Sequence, residues 1–118
     1  MADPVSILIV DDDEAVLIAL ERILEGEGYR TVTAWSGREA LQAAENCQFD
    51  LLLVDEHLAD MEITTLSEEL IRRQPEALSI LMHTRKNGGR KLPTAAHRNV
   101  CKWEHAELKD QIRRCLAA

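Results

Sequence analysis

The chain has 118 residues, of which 46% are hydrophobic and 30% charged, and it carries a net charge of −7. This length supports one hydrophobic core and excludes a catalytic domain with a separate cap, while the composition excludes disordered, collagenous and coiled-coil classes. No run approaches the roughly 18 consecutive apolar residues of a membrane span, and Met1-Ala2-Asp3-Pro4 lacks the basic and apolar regions of a secretory signal, so a cytoplasmic location is expected.

The charge is unevenly distributed: residues 1–62 hold 15 acids against 3 bases, residues 63–118 hold 6 against 11. No acid occurs between Glu76 and Glu104, whereas Arg85, Lys86, Arg90, Lys91, Arg98 and Lys102 all do. Cys47, Cys101 and Cys115 are odd in number and far apart, which suggests neither a disulfide framework nor a paired-cysteine zinc site and predicts reduced thiols used in packing.

Val5 to Val10 is a nearly continuous apolar run halted by Asp11-Asp12-Asp13-Glu14, the pattern of a strand buried on both faces and followed by a polar turn. From Glu14 to Glu25, Val16, Leu20, Ile23 and Leu24 recur at helical spacing, with Asp13 as N-cap and Gly26 or Gly28 as the stop. Tyr29 to Ala34 reads as a second strand, and Ser36 then caps a short helix containing Ala40, Leu41 and Ala44. Leu51 to Val54 ends at Asp55 as the first run ends at Asp11, and Leu66, Leu70 and Ile71 mark a third helix closed by Gln74-Pro75.

Ala77 to Met82 is a fourth apolar run ending at His83-Thr84. Beyond it Gly88-Gly89 and Pro93 oppose a long helix and leave only Leu92 to His97 for a turn or two, before a short strand at Val100-Cys101. The last segment sets Leu108, Ile112, Cys115 and Leu116 on one helical face. Five apolar runs alternating with helices predict an α/β fold, a doubly wound five-stranded parallel sheet with a shortened or irregular fourth helix.

In such a sheet the residues just past the carboxyl ends of the strands gather at one edge, here Asp11, Asp12, Asp55, Thr84 and Lys102. Three converging carboxylates repel unless a cation neutralises them, and hard oxygen ligands suit magnesium. A nucleophile, a lysine and a hydroxyl at the same edge match phosphoryl transfer, in which positioning and charge neutralisation supply most of the catalysis.

These residues, together with Phe49-Asp50-Leu51-Leu52-Leu53-Val54-Asp55, the strand ending in Thr84, and Cys101-Lys102, resemble the receiver domains of two-component response regulators from about Ser6 to Leu116. The resemblance implies the flavodoxin-like strand order 2-1-3-4-5 and a single receiver domain over residues 1–118, its core at about 5–117, with no output domain. It implies that Asp55 accepts a phosphoryl group from a kinase or phosphotransfer histidine, with Mg2+ held by Asp12, Asp55 and the backbone carbonyl of His57, and by Asp11 mainly through water. Lys102 would pair with the phosphoryl oxygens and Thr84 would swing onto them. Partners would be a histidine kinase or histidine phosphotransfer protein and a downstream protein; Ile18, the one large apolar residue on the charged face of the first helix, reads either as a docking point for the donor's helices or as an isolated exposed apolar residue of the ordinary kind.

The chain departs from the family pattern in four places. The loop Leu58-Ala59-Asp60-Met61-Glu62-Ile63 lacks the usual proline and glycine. Trp103 follows Lys102 where the family has a cis proline; a cis bond before a non-proline residue costs about 2.5–4 kcal/mol, so a trans bond is expected, leaving Lys102 open to displacement. Arg85 and Lys86 replace small residues after Thr84, and the aromatic switch position falls near Asn99. The basic stretch could meet an acidic partner or nucleic acid, although the lack of interleaved aromatics favours a solvated surface.

Two rivals follow from the residues. One is a receiver-like interaction module that works without phosphorylation. The other is a phosphohydrolase built on Asp11-Asp12-Asp13 read as Asp-x-Asp, which the short chain opposes. His97, Cys101 and His105 would make a metal set only on one continuous helix, and a strand is expected at Cys101.

Overall fold

A computed structural model describes residues 4–84 and 98–117 of the chain. The strands β1 (Ser6–Val10), β2 (Arg30–Ala34), β3 (Leu51–Asp55), β4 (Leu78–His83) and β5 (Arg98–Cys101) are interleaved with helices α1 (Glu14–Gly26), α2 (Gly37–Asn46), α3 (Ile63–Arg73) and α4 (His105–Ala117). Every ladder is parallel and the sheet order is β2-β1-β3-β4-β5, as expected of a flavodoxin-like doubly wound sheet. The irregular helix expected at Leu92 to His97 and most of the basic stretch, Arg85 to Lys91, lie outside the described residues.

Alternation along each strand sends successive side chains to opposite faces, and both faces are covered. Ile7, Ile9, Leu51, Leu53, Ile80, Met82 and Val100 pack with Val16, Leu20 and Leu24 of α1 and Leu108 and Ile112 of α4. The residues between them, Leu8, Val10, Leu52, Val54 and Leu81, pack with Ala40 and Ala44 of α2 and Ile63, Leu66 and Leu70 of α3. This double burial explains why β1 and β3 read as unbroken apolar runs.

Helix ends follow their local chemistry. Asp13 caps α1 by accepting from the Ala15 N–H at 2.9 Å, and Ser36 caps α2 by accepting from the Glu39 N–H at 3.0 Å. Gly28, at φ 92°, closes α1 in the left-handed region, with Tyr29 N–H donating to Leu24 O and Gly28 N–H to Glu25 O. Of the two glycines expected to stop this helix, the turn therefore uses Gly28.

Two expectations need correction. Ile71 does not share the buried stripe of α3 but is 39% exposed, because a residue next to Leu70 is rotated about 100° from the face carrying Ile63, Leu66 and Leu70. Cys47 is exposed just past α2 and so is not a core residue, whereas Cys101 and Cys115 are buried.

Candidate functional site

Asp11 immediately follows β1 and Asp55 is the last residue of β3, its neighbour in the sheet. Their side chains are buried at the carboxyl edge, while Asp12 is exposed there. Carboxylate oxygens from all three lie within 4.8 Å of one another. Lys102 leaves the end of β5, two strands beyond β3, and its long side chain reaches across the edge to donate to Asp11 Oδ2 at 3.0 Å. The same Nζ stands 3.5 Å from Asp55 Oδ2. The second oxygen of Asp11 accepts from the Asp13 N–H at 2.9 Å, so both its oxygens are engaged. Asp13 itself turns away to cap α1, which removes the second acid a phosphohydrolase reading requires.

Burial pushes the Asp55 carboxyl from 3.8 up to about 6, with the Asp11 charge adding to the effect; Lys102 and the His57 backbone N–H act in the opposite direction. Burial alone would lower the Lys102 ammonium, but the Asp11 hydrogen bond and the charges of Asp55 and Asp11 outweigh it and raise the group. One ammonium thus stands against three carboxylates, leaving a net negative cleft of hard oxygen donors. That donor set, with one member open to solvent, fits a hard divalent cation such as Mg2+.

The model of the response regulator receiver domain matches residues 7–101, from the second residue of β1 to the last of β5. The chain belongs to this family. Transcriptional regulatory protein ZraR of Escherichia coli K12 is 40% identical over 83 residues, which are 70% of this chain and 18% of ZraR. Alkaline phosphatase synthesis transcriptional regulatory protein PhoP of Bacillus subtilis is 38% identical over 81 residues, 69% of this chain and 33% of PhoP. The receiver domain therefore spans less than two thirds of either relative. A CheY-like receiver domain protein from Methanospirillum hungatei superimposes with a TM-score of 0.88 at 32% identity, covering 98% of this chain and 95% of that one. Response regulator TrrA from Thermotoga maritima, solved in complex with Mg(2+)-BeF, gives 0.85 at 28% identity over 95% of this chain and 99% of its own.

Thr84 stands just past β4 at the same edge, exposed, and makes no hydrogen bond to the three carboxylates. The side chain of His57 points to solvent near Glu56 Oε1, 3.5 Å away, while its backbone lies beside Asp55. There is no cis peptide bond among the described residues, as expected for Lys102-Trp103, yet Lys102 is not displaced from the cluster. Ile18 is 44% exposed in a groove shared with Trp35, Asp12, Glu14 and Glu21. Cys101 lies in β5, so it shares no continuous helix with His105, and His97 is outside the described residues.

Sequence reasoning missed the device that replaces the lost loop glycine and proline. The Asp60 carboxylate accepts from the Gly37 N–H at 2.9 Å and the Arg38 N–H at 3.1 Å, pinning the loop after Asp55 to the start of α2. These bonds hold the Asp60 carboxyl below its ordinary value. Glycine at position 37 is the one sequence signal, since a Cβ there would meet Met61 Cβ at 3.1 Å and Sδ at 3.2 Å. Gln74, also unforeseen, is buried and accepts from the Phe49 N–H while donating to Ala44 O and Cys47 O, tying the entry of β3 to α2 and α3.

Proposed function

We propose that this receiver takes a phosphoryl group onto Asp55 from the histidine of a kinase or histidine phosphotransfer protein, with Mg2+, and signals through contacts with a further protein. One observation carries the reading: a buried carboxylate, Asp55, sits between two more carboxylates and a lysine at the switch point of the sheet. In the transfer an ionised Asp55 oxygen forms a bond to phosphorus as the bond from phosphorus to the donor's imidazole nitrogen breaks. That nitrogen keeps the electron pair, and the product is an acyl phosphate.

Asp12 and Asp55, with the His57 carbonyl, would hold Mg2+, and Asp11, whose oxygens already bond Lys102 and the Asp13 N–H, would act through water. The ion, when bound, offsets negative charge on the phosphoryl oxygens and carboxylates. Lys102 then turns N–H groups from Asp11 and Asp55 toward those oxygens, and Thr84, exposed beside the cleft, closes onto them. The half-exposed Ile18 and its acidic surround provide a contact for the donor. TrrA's complex with Mg(2+)-BeF supports the same chemistry here.

The gathering of all these groups favours phosphorylation over a module that works without it. The output route differs from the usual aromatic switch, because position 99 is an exposed asparagine. The test is the intact mass after incubation with acetyl phosphate or phosphoramidate, with and without Mg2+. One phosphoryl adduct that needs Mg2+, is lost in Asp55→Asn and survives in Asp13→Asn is expected. Turnover without an adduct would point to a hydrolase, and the absence of both adduct and turnover would overturn the reading.

A further inference from the structure

The residue after Lys102 is the most unusual one at the cleft. Cys101 O accepts from the Glu104 N–H at 3.1 Å, which makes Lys102 and Trp103 the two central residues of a β-turn. The Lys102 N–H donates to His83 O at 2.9 Å, and Leu108 N–H donates to Glu104 O at 2.9 Å, so the turn is anchored to β4 on one side and to α4 on the other. Within it the Lys102 Nζ lies 5.7 Å from the centroid of the Trp103 ring. The ammonium is therefore bounded by Asp11, Asp55 and an indole face, while Trp103 keeps 56% of its surface in solvent.

An aromatic face attracts a cation without demanding a hydrogen bond in one direction. Carboxylates do the opposite, since each fixes an N–H. During phosphoryl uptake the ammonium has to redirect its N–H groups while staying where it is, and a four-carbon lysine stem supplies little stiffness for that. We propose that Trp103 is a positioning residue for phosphoryl uptake, its indole face holding the Lys102 ammonium over the cleft while the N–H groups turn from Asp11 and Asp55 to the phosphoryl oxygens. The proposal rests on the phosphoacceptor reading of Asp55. It assigns to a trans-linked tryptophan the steadying of Lys102 in a chain that has no proline at this place.

The test uses Trp35→Phe protein, so that Trp103 is the single tryptophan, loaded with 5-fluoro-, difluoro- and trifluorotryptophan. Fluorine weakens the attraction of the ring for a cation while leaving its shape nearly unchanged. The rate of Mg2+-dependent phosphoryl uptake from acetyl phosphate should fall stepwise with fluorination. Trp103→Leu should be slower by about two- to fivefold, the size of an exposed cation–π contact, with Trp103→Phe in between. A merely structural tryptophan would give rates indifferent to fluorination, which would overturn the role and leave the phosphoacceptor reading standing. Absence of any adduct in the parent protein would overturn both. Independently of transfer, the Lys102 ε-protons, assigned with Lys102→Arg, should show an upfield ring-current shift that disappears in Trp103→Leu; no such shift would also overturn the proposal.

Discussion

Replacing Asp55 by Asn should stabilise the metal-free protein at neutral pH. In the folded chain burial and the neighbouring Asp11 raise the Asp55 carboxyl from 3.8 to about 6. Between these two values the native state holds a proton that the unfolded chain has released, so stability falls as pH rises through the interval and the full cost is present above about 6. A tenfold change in proton affinity is about 1.4 kcal/mol, which puts the cost of keeping Asp55 ionised near 3 kcal/mol. Asn removes the charge but must satisfy its amide hydrogens in a buried place, so a gain of about 1–3 kcal/mol is expected near pH 8, or roughly 4 °C in Tm per kcal/mol. Urea unfolding followed by far-UV circular dichroism, in chelator from pH 3.5 to 8, measures it. The gain should vanish toward the acid end, and saturating Mg2+ should stabilise the parent more than the variant. A variant less stable than the parent near pH 8, or a gain independent of pH, would refute the electrostatic account of the cleft.

Lys102→Met should have the opposite effect: it strips the buried Asp11 and Asp55 of their ammonium and should cost about 3–5 kcal/mol at neutral pH in chelator, an effect that Mg2+ reduces in the same unfolding assay. Gln74→Leu leaves the Phe49 N–H and the Ala44 and Cys47 carbonyls without their partner, and about 2–3 kcal/mol of stability should be lost with the cleft intact. Gly37→Ala brings a Cβ to 3.1 Å from Met61 Cβ and 3.2 Å from its Sδ, so the loop that carries Asp60 must shift by a few tenths of an ångström, read as chemical-shift changes reaching that loop, while the strain offsets the roughly 0.5–1 kcal/mol that alanine gains over glycine in a helix and leaves net stability within about 1 kcal/mol of the parent.

The sheet was legible because its strands are buried on both faces, so that Ile7 to Val10 and Leu51 to Val54 need no alternation to be recognised, and each stops at an aspartate. Side-chain caps were legible for a similar reason, Asp13 and Ser36 standing just before helical spacing begins. The acidic cluster could be read because topology alone brings the ends of β1 and β3 together. Contacts set by tertiary packing were not readable. Nothing local distinguishes Asp60 from other loop acids, and its partners lie 22 and 23 residues away at the start of α2. Gln74 looks like a polar helix terminus until α2 and β3 close around it. The missing proline removes a constraint on Lys102, and the turn from Cys101 to Glu104 restores it by a hydrogen bond that no residue type announces.

Borohydride trapping tests the central claim most directly, since it reduces an acyl phosphate to an alcohol and marks the acceptor chemically. After exposure to acetyl phosphate and Mg2+, peptide mapping should find homoserine at position 55 and aspartate unchanged at positions 11, 12 and 13. Homoserine at one of those three positions, or at none of the four, would contradict the account.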